Sequence, residues 1–164
     1  MPQKIFSEEQ RFSQKWLWIL LFAALLGMSL AFIQDYNTSS KFIASMVVGY
    51  TVILLVMLLI WSLKLKTRID EIGIHVTFWP IIRKEKIYKW NDIESAEVIQ
   101  YSPLKDYGGW GYRYSLGSKG IAMNVKGNMG IKIHFKSGRP LLIGTQKAEE
   151  AKAIIKQYLT PNAL

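Results

Sequence analysis

Two histidines, three pairs of neighbouring carboxylates and a glycine-rich stretch dense in aromatics are the parts of this chain best equipped for chemistry. A histidine–metal site needs two or more further ligands at compatible positions, and neither His75 nor His134 has them in the sequence. Both alternate with apolar residues and read as outward-facing strand residues. General acid–base work needs two carboxylates converging in a cleft. Asp70 and Glu71 are neighbours that a strand would point to opposite faces. Glu94 and Glu97 fit a strand face, and Glu149 and Glu150 fit the first turn of a helix. Cysteine is absent, which removes disulfides, thiol nucleophiles and cysteine metal sites together. No Ser-His-Asp arrangement stands out. The expectation is a non-enzyme with no catalytic residues, no cofactor and no metal.

The stretch from Gly108 to Gly120 invites a phosphate-binding reading, but no Gly-Lys-Ser/Thr closes it and no helix start follows to receive a phosphate. Glycine there is expected to permit positive φ in a long hairpin loop. The loop nevertheless carries Tyr107, Trp110, Tyr112 and Arg113, and aromatics beside arginine are common anchors for partners. These four form the candidate interaction loop, with Trp110 and Arg113 foremost.

The elements that must position these residues begin with two charge-free apolar runs, 16–33 and 42–63, separated by a polar turn, 34–41. A hydrocarbon core of about 30 Å needs roughly 20 helical residues, so the runs predict a transmembrane hairpin. Lys4, Arg11 and Lys15 precede it, Lys64, Lys66 and Arg68 follow it, and the turn holds only Lys41 and Asp35. Excess positive charge marks the cytoplasmic side. Residues 1–15 are therefore expected as a cytoplasmic tail and 64–164 as a cytoplasmic domain. Trp16, Trp18 and Trp61 fall at the same expected boundary, where indole rings favour headgroups. Ala23, Gly27 and Ala31 on the first helix, with Ser45 and Gly49 on the second, predict a small-residue helix–helix seam. Neither span holds an ionisable side chain, which argues against a transporter or channel.

Beyond Lys66 the pattern turns to period two. Ile74, Val76 and Phe78 share one face, as do Ile121, Met123 and Val125, and Ile131, Ile133 and Phe135. Such alternation predicts strands with one buried face, about six or seven between Thr67 and Gly144. The final segment changes period again. Ala148, Ala151, Ile154, Ile155, Tyr158 and Leu159 make one helical stripe, with Thr145 as N-cap and Pro161 past the end.

This order of elements resembles a bacterial pleckstrin-homology-like membrane protein with two N-terminal transmembrane helices. The resemblance is carried by Trp90–Asn91–Asp92–Ile93 leading into a strand, by the Gly108–Arg113 stretch with Gly127 and Gly130, and by the segment Leu142 to Ile155. It implies a bent sheet or partial barrel of about seven antiparallel strands capped by a C-terminal helix. It also implies a binding or assembly module and no reaction.

The net charge of +9 rests largely on the part after the hairpin, with 17 basic against 9 acidic residues from Lys64 onward. Arg83, Lys84, Lys86, Lys132, Lys136 and Arg139 are the candidate face for anionic lipid of a bacterial inner membrane. Nucleic acid is not expected, because no basic run interleaves with a binding motif. The expected partners are membrane lipid, a protein or a second copy. The alternative is a structural accessory subunit of a larger membrane complex.

Overall fold

A computed structural model describes residues 5–34, 39–115 and 119–159. The chain forms two compact units, residues 13–62 and residues 1–12 with 63–164. The first is a pair of helices, α1 (Lys15–Gln34) and α2 (Ser40–Ser62), both long and apolar enough to cross a membrane. The centre of the expected turn, 35–38, lies outside the described residues.

The second unit begins before the helices. Phe6–Arg11 is a strand, β1, paired antiparallel with β2 (Lys64–Ile69) from the far side of the hairpin. Residues 6–11 are therefore part of the sheet domain, which corrects the expectation of a tail over 1–15. Strand β3 (Gly73–Trp79) and β4 (Ile82–Lys89) complete a four-stranded sheet in the order β1-β2-β3-β4. A 3-10 turn at Trp90–Asp92 leads into β5 (Ile93–Gln100), then the short helix α3 (Pro103–Tyr107). Strands β6 (Gly111–Tyr114), β7 (Ile121–Asn124), β8 (Met129–Phe135) and β9 (Leu141–Gly144) follow. The second sheet runs β5-β8-β9-β7-β6.

Among the described residues nine strands replace the expected seven or so, and β7 pairs parallel with β9, so the second sheet is mixed rather than wholly antiparallel. No closed barrel forms among the described strands. The two sheets instead enclose a common core. Phe6, Leu65, Ile69, Ile74, Val76 and Phe78 from one sheet meet Met123, Ile131, Ile133 and Ile143 from the other. The C-terminal helix α4 (Ala148–Leu159) adds Ala151, Ile154 and Ile155, the expected stripe. Burying such side chains contributes roughly 1.5–3 kcal/mol each. A second, smaller cluster of Tyr101, Tyr107, Ala122 and Leu142 lies against the five-stranded sheet.

Candidate functional site

The inward positions of β1 are Phe6, Glu8 and Gln10, and two of these three are polar. Glu8 is paired through both carboxylate oxygens and Gln10 through Nε2, while Gln10 Oε1 is buried with no partner among the described residues. The Glu8 carboxylate accepts from Thr145 Oγ1 at 2.6 Å and from the Gln146 amide at 2.7 Å, and Gln10 Nε2 donates to the Gly144 carbonyl at 2.7 Å. Thr145 Oγ1 also accepts from the Lys147 amide, so it orders the entry to α4 from three residues before the helix starts. The two bonds to the Glu8 carboxylate are charge-assisted, a type roughly twice as strong as a neutral bond.

The outer face of the four-stranded sheet holds a polar cluster that sequence reasoning missed. His75 is only 2% exposed, which overturns its reading as an exposed strand histidine. Its Nε2 lies 3.0 Å from Asp70 Oδ1, and its Nδ1 lies 3.2 Å from both Arg68 Nη2 and Glu85 Oε2. Burial pushes the Asp70 carboxyl up, but bonds from the Ile72 amide, His75 and the Gly73 amide together hold it below its ordinary value. An ionised Asp70 fixes His75 Nε2 as a donor. Nδ1 then accepts from Arg68 in the neutral ring or donates to Glu85 in the charged one. The adjoining cavity, about 200 Å³, is lined by Ser7, Glu9, Lys66 and Thr77 together with Arg68, His75 and Glu85. Both imidazole nitrogens are occupied by neighbouring side chains. Among the described residues, no group of three or more His, Asp or Glu is placed to hold a metal ion.

The candidate interaction loop is not one exposed loop. Tyr107 closes α3, is buried, and donates to the Lys119 carbonyl. Ser102 caps α3, and Gly108 at φ +69° terminates it in the left-handed conformation glycine favours. Trp110 is half-buried, with Nε1 donating to the Gly127 carbonyl at 3.1 Å. Tyr112 and Arg113 lie exposed on β6, where Arg113 Nε donates back to the Trp110 carbonyl. Tyr112 also sets its ring 6.4 Å from that of Phe78 on the opposite sheet. Burial, with Tyr112 nearby, pushes the Tyr88 hydroxyl up to about 12.

The six candidate lipid-binding cations divide between the sheets. Arg83, Lys84 and Lys86 are exposed on β4, an edge strand. Arg83 packs over the Trp79 ring and Lys86 over that of Tyr88, each at 5.1 Å. Lys132 stands on β8 of the other sheet, opposite Glu97 and Leu142. Lys136 follows β8, and Arg139 packs over and hydrogen-bonds Tyr114. Arg83, Lys84 and Lys86 share one strand, where alternation sets Arg83 on the opposite face from Lys84 and Lys86, and Lys132, Lys136 and Arg139 belong to the other sheet and the turn after β8.

One end of the four-stranded sheet gathers several features. Arg11, the last residue of β1, is opposite Lys64, the first of β2, and Lys64 is opposite Trp79, the last of β3. Beyond Trp79, the β3–β4 turn exposes Ile81. Glu9 binds Lys64 at 2.7 Å, and Lys66 and Arg11 more loosely, and the Lys64 bond leads in lowering its carboxyl.

Within the helical pair, of the two glycines in the predicted seam Gly49 comes close to the other helix and Gly27 does not. A Cβ built on Gly49 would lie 2.5 Å from Met28 Cε, whereas one on Gly27 meets nothing within 4 Å. Ser29 Oγ and Tyr50 OH bond at 2.7 Å across the helices. Ala23, Gly27, Ala31 and Ser45 are exposed. The first helix is thus rotated so that Met28 and Ser29, not the small-residue stripe, face its neighbour.

No family model, curated protein or solved structure matches the chain.

Proposed function

We propose that this protein is a membrane-anchored binding or assembly module at the cytoplasmic face of a bacterial inner membrane. Its pleckstrin-homology-like domain engages lipid, a protein partner or a second copy, and it catalyses no reaction. The observation that carries this reading is the pairing of β1 with β2, which joins the chain before α1 to the chain after α2 in one sheet. A hairpin flanked on both sides by the same folded domain crosses a bilayer twice or not at all. With basic residues on both flanks, the favoured side is the cytoplasm. Tethering then raises the effective concentration of any weak interface on the domain.

The likeness to a pleckstrin-homology fold is supported by two sheets over one core and by a C-terminal helix packed on it. The parallel β7–β9 pair and the inserted hairpin are departures from it. A second reading, an accessory subunit, draws on the largely apolar outer surface of the helices, including exposed Phe22, Leu26, Val48 and Leu55. Purification of the full-length chain in mild detergent separates the two. A monomer or homo-oligomer is expected for the module, and a stoichiometric second protein would favour the subunit. Release from membranes by alkaline carbonate would contradict both.

A further inference from the structure

Strand pairing sets two rows of polar side chains across the outer face of the four-stranded sheet. Ser7 on β1 stands opposite Arg68 on β2, which stands opposite His75 on β3. The next row runs Glu9, Lys66 and Thr77. These rows, with Glu85 of β4, line the cavity of about 200 Å³. A water takes roughly 30 Å³ of liquid, so the space suits an anion of a few heavy atoms. His75, 2% exposed, is the buried titratable group in its wall.

Cations outnumber carboxylates on this face even while the imidazole is neutral. Strand β1 contributes Glu9 and Arg11, β2 Lys64, Lys66 and Arg68, the β2–β3 turn Asp70 and Glu71, and β4 Glu85, with Arg83 and Lys89 nearer its ends. Glu9 is already met by Lys64 at 2.7 Å, and Lys66 reaches it only at 3.5 Å. Asp70 is bound by His75 and by the Ile72 and Gly73 amides. Arg68 reaches His75 Nδ1, Asp70 and Glu85 through one nitrogen, Nη2, at 3.2, 3.4 and 3.8 Å. The shortest of these contacts needs a lone pair on Nδ1. A protonated ring has only donors, so Nδ1 then turns to Glu85 Oε2, 3.2 Å away, and accepts nothing from Arg68. The guanidinium is released from the imidazole beside a cavity it already lines, and Glu85 is drawn to the ring.

We propose that this cavity binds a small free oxyanion through Arg68, Lys66 and the hydroxyls of Ser7 and Thr77, and that a proton on His75 turns the site on. Imidazole in ordinary surroundings changes charge between about pH 5 and 8, so the site answers to mild acidification. The inference goes beyond the tethered-module reading and needs no membrane, so either can fail without the other.

Sulfate is the probe, because it stays doubly charged across this range. Full-length protein carrying His134→Gln has His75 as its one histidine, and isotope labelling makes that imidazole visible to NMR in mild detergent. With ionic strength matched by chloride, sulfate is expected to bind at least roughly tenfold more tightly at about pH 5 than at about pH 8. Linkage requires sulfate in return to raise the pH at which His75 takes up its proton. Arg68→Met should abolish the sulfate response while the imidazole still titrates. Sulfate affinity equal at both pH values would overturn the gate. No binding at either, or a response that survives in Arg68→Met, would overturn the site. A neutral ring protonated at Nδ1 would overturn the exchange of partners. A glycerophosphodiester, the chemistry of a lipid headgroup, should bind more weakly than sulfate, and tighter binding would overturn the assignment to a free anion.

Discussion

Glu8 and Thr145 are joined by a 2.6 Å hydrogen bond across 137 positions of sequence. Glu8 lies before the first helix and Thr145 after the last strand, so the bond closes the domain around the hairpin insertion. It is also buried, which makes it costly to break on one side only. Glu8→Ala leaves the Thr145 hydroxyl and the Gln146 amide without their acceptor. Such a loss costs about 1–3 kcal/mol. Thermal melting of the full-length protein in detergent is expected to fall for Glu8→Ala and to fall less for Glu8→Gln. An unchanged melting temperature would mean that β1 is not part of the domain.

Asp70 gives a pH dependence of defined sign. Folding lowers its carboxyl from 3.8, so its contribution to stability is whole above that value and disappears as the pH falls through the lower folded one. Asp70→Asn is expected to reduce stability at neutral pH and to flatten the acid limb of a stability–pH profile. An acid limb as steep as in the unaltered protein would contradict this.

The two helical glycines are expected to differ. Gly49→Ile drives a branched side chain against Met28 and should push the helices apart, as read by spin-label distances between them. Gly27→Ile meets open space and should leave the distance unchanged. Equal effects would restore the small-residue stripe as the seam.

Two glycines with positive φ offer a matched comparison. At Gly138, φ +113°, a Cβ meets nothing, so Gly138→Ala costs only backbone strain, about 1–2 kcal/mol. At Gly120, φ +79°, the Pro140 carbonyl already occupies the Cβ position, and Ile121 bonds to that same carbonyl. Gly120→Ala should therefore be distinctly worse than Gly138→Ala in chemical unfolding. Equal costs would contradict the close approach.

The sequence made some of this legible because the signal was local. Ile74, Val76 and Phe78 alternate cleanly and are all fully buried, and the stripe from Ala151 to Ile155 is where a 3.6-residue period puts it. Strand β1 was hidden because Glu8 and Gln10 occupy its inward positions, and only partners more than 130 residues away make them acceptable there. His75 does point outward, yet Asp70, Arg68 and Glu85 close over it, and that convergence depends on pairing between strands. Of the predicted seam, Gly49 packs against Met28 and Gly27 meets nothing across the pair. Small residues every four positions mark a face, but the Met28–Gly49 and Ser29–Tyr50 contacts set the rotation. A soluble fragment of residues 67–164 would lack β1 and half of β2, so the full chain is the proper subject of these tests.

The most direct test of the account uses single cysteines at Ser7, Asn37 and Ser137, probed in intact cells with a membrane-impermeant maleimide. Labelling of Asn37→Cys alone is predicted, with Ser7→Cys and Ser137→Cys reacting only after permeabilisation. Labelling of Ser7→Cys or Ser137→Cys in intact cells would contradict it, and different behaviour of those two would separate the strands that the account joins.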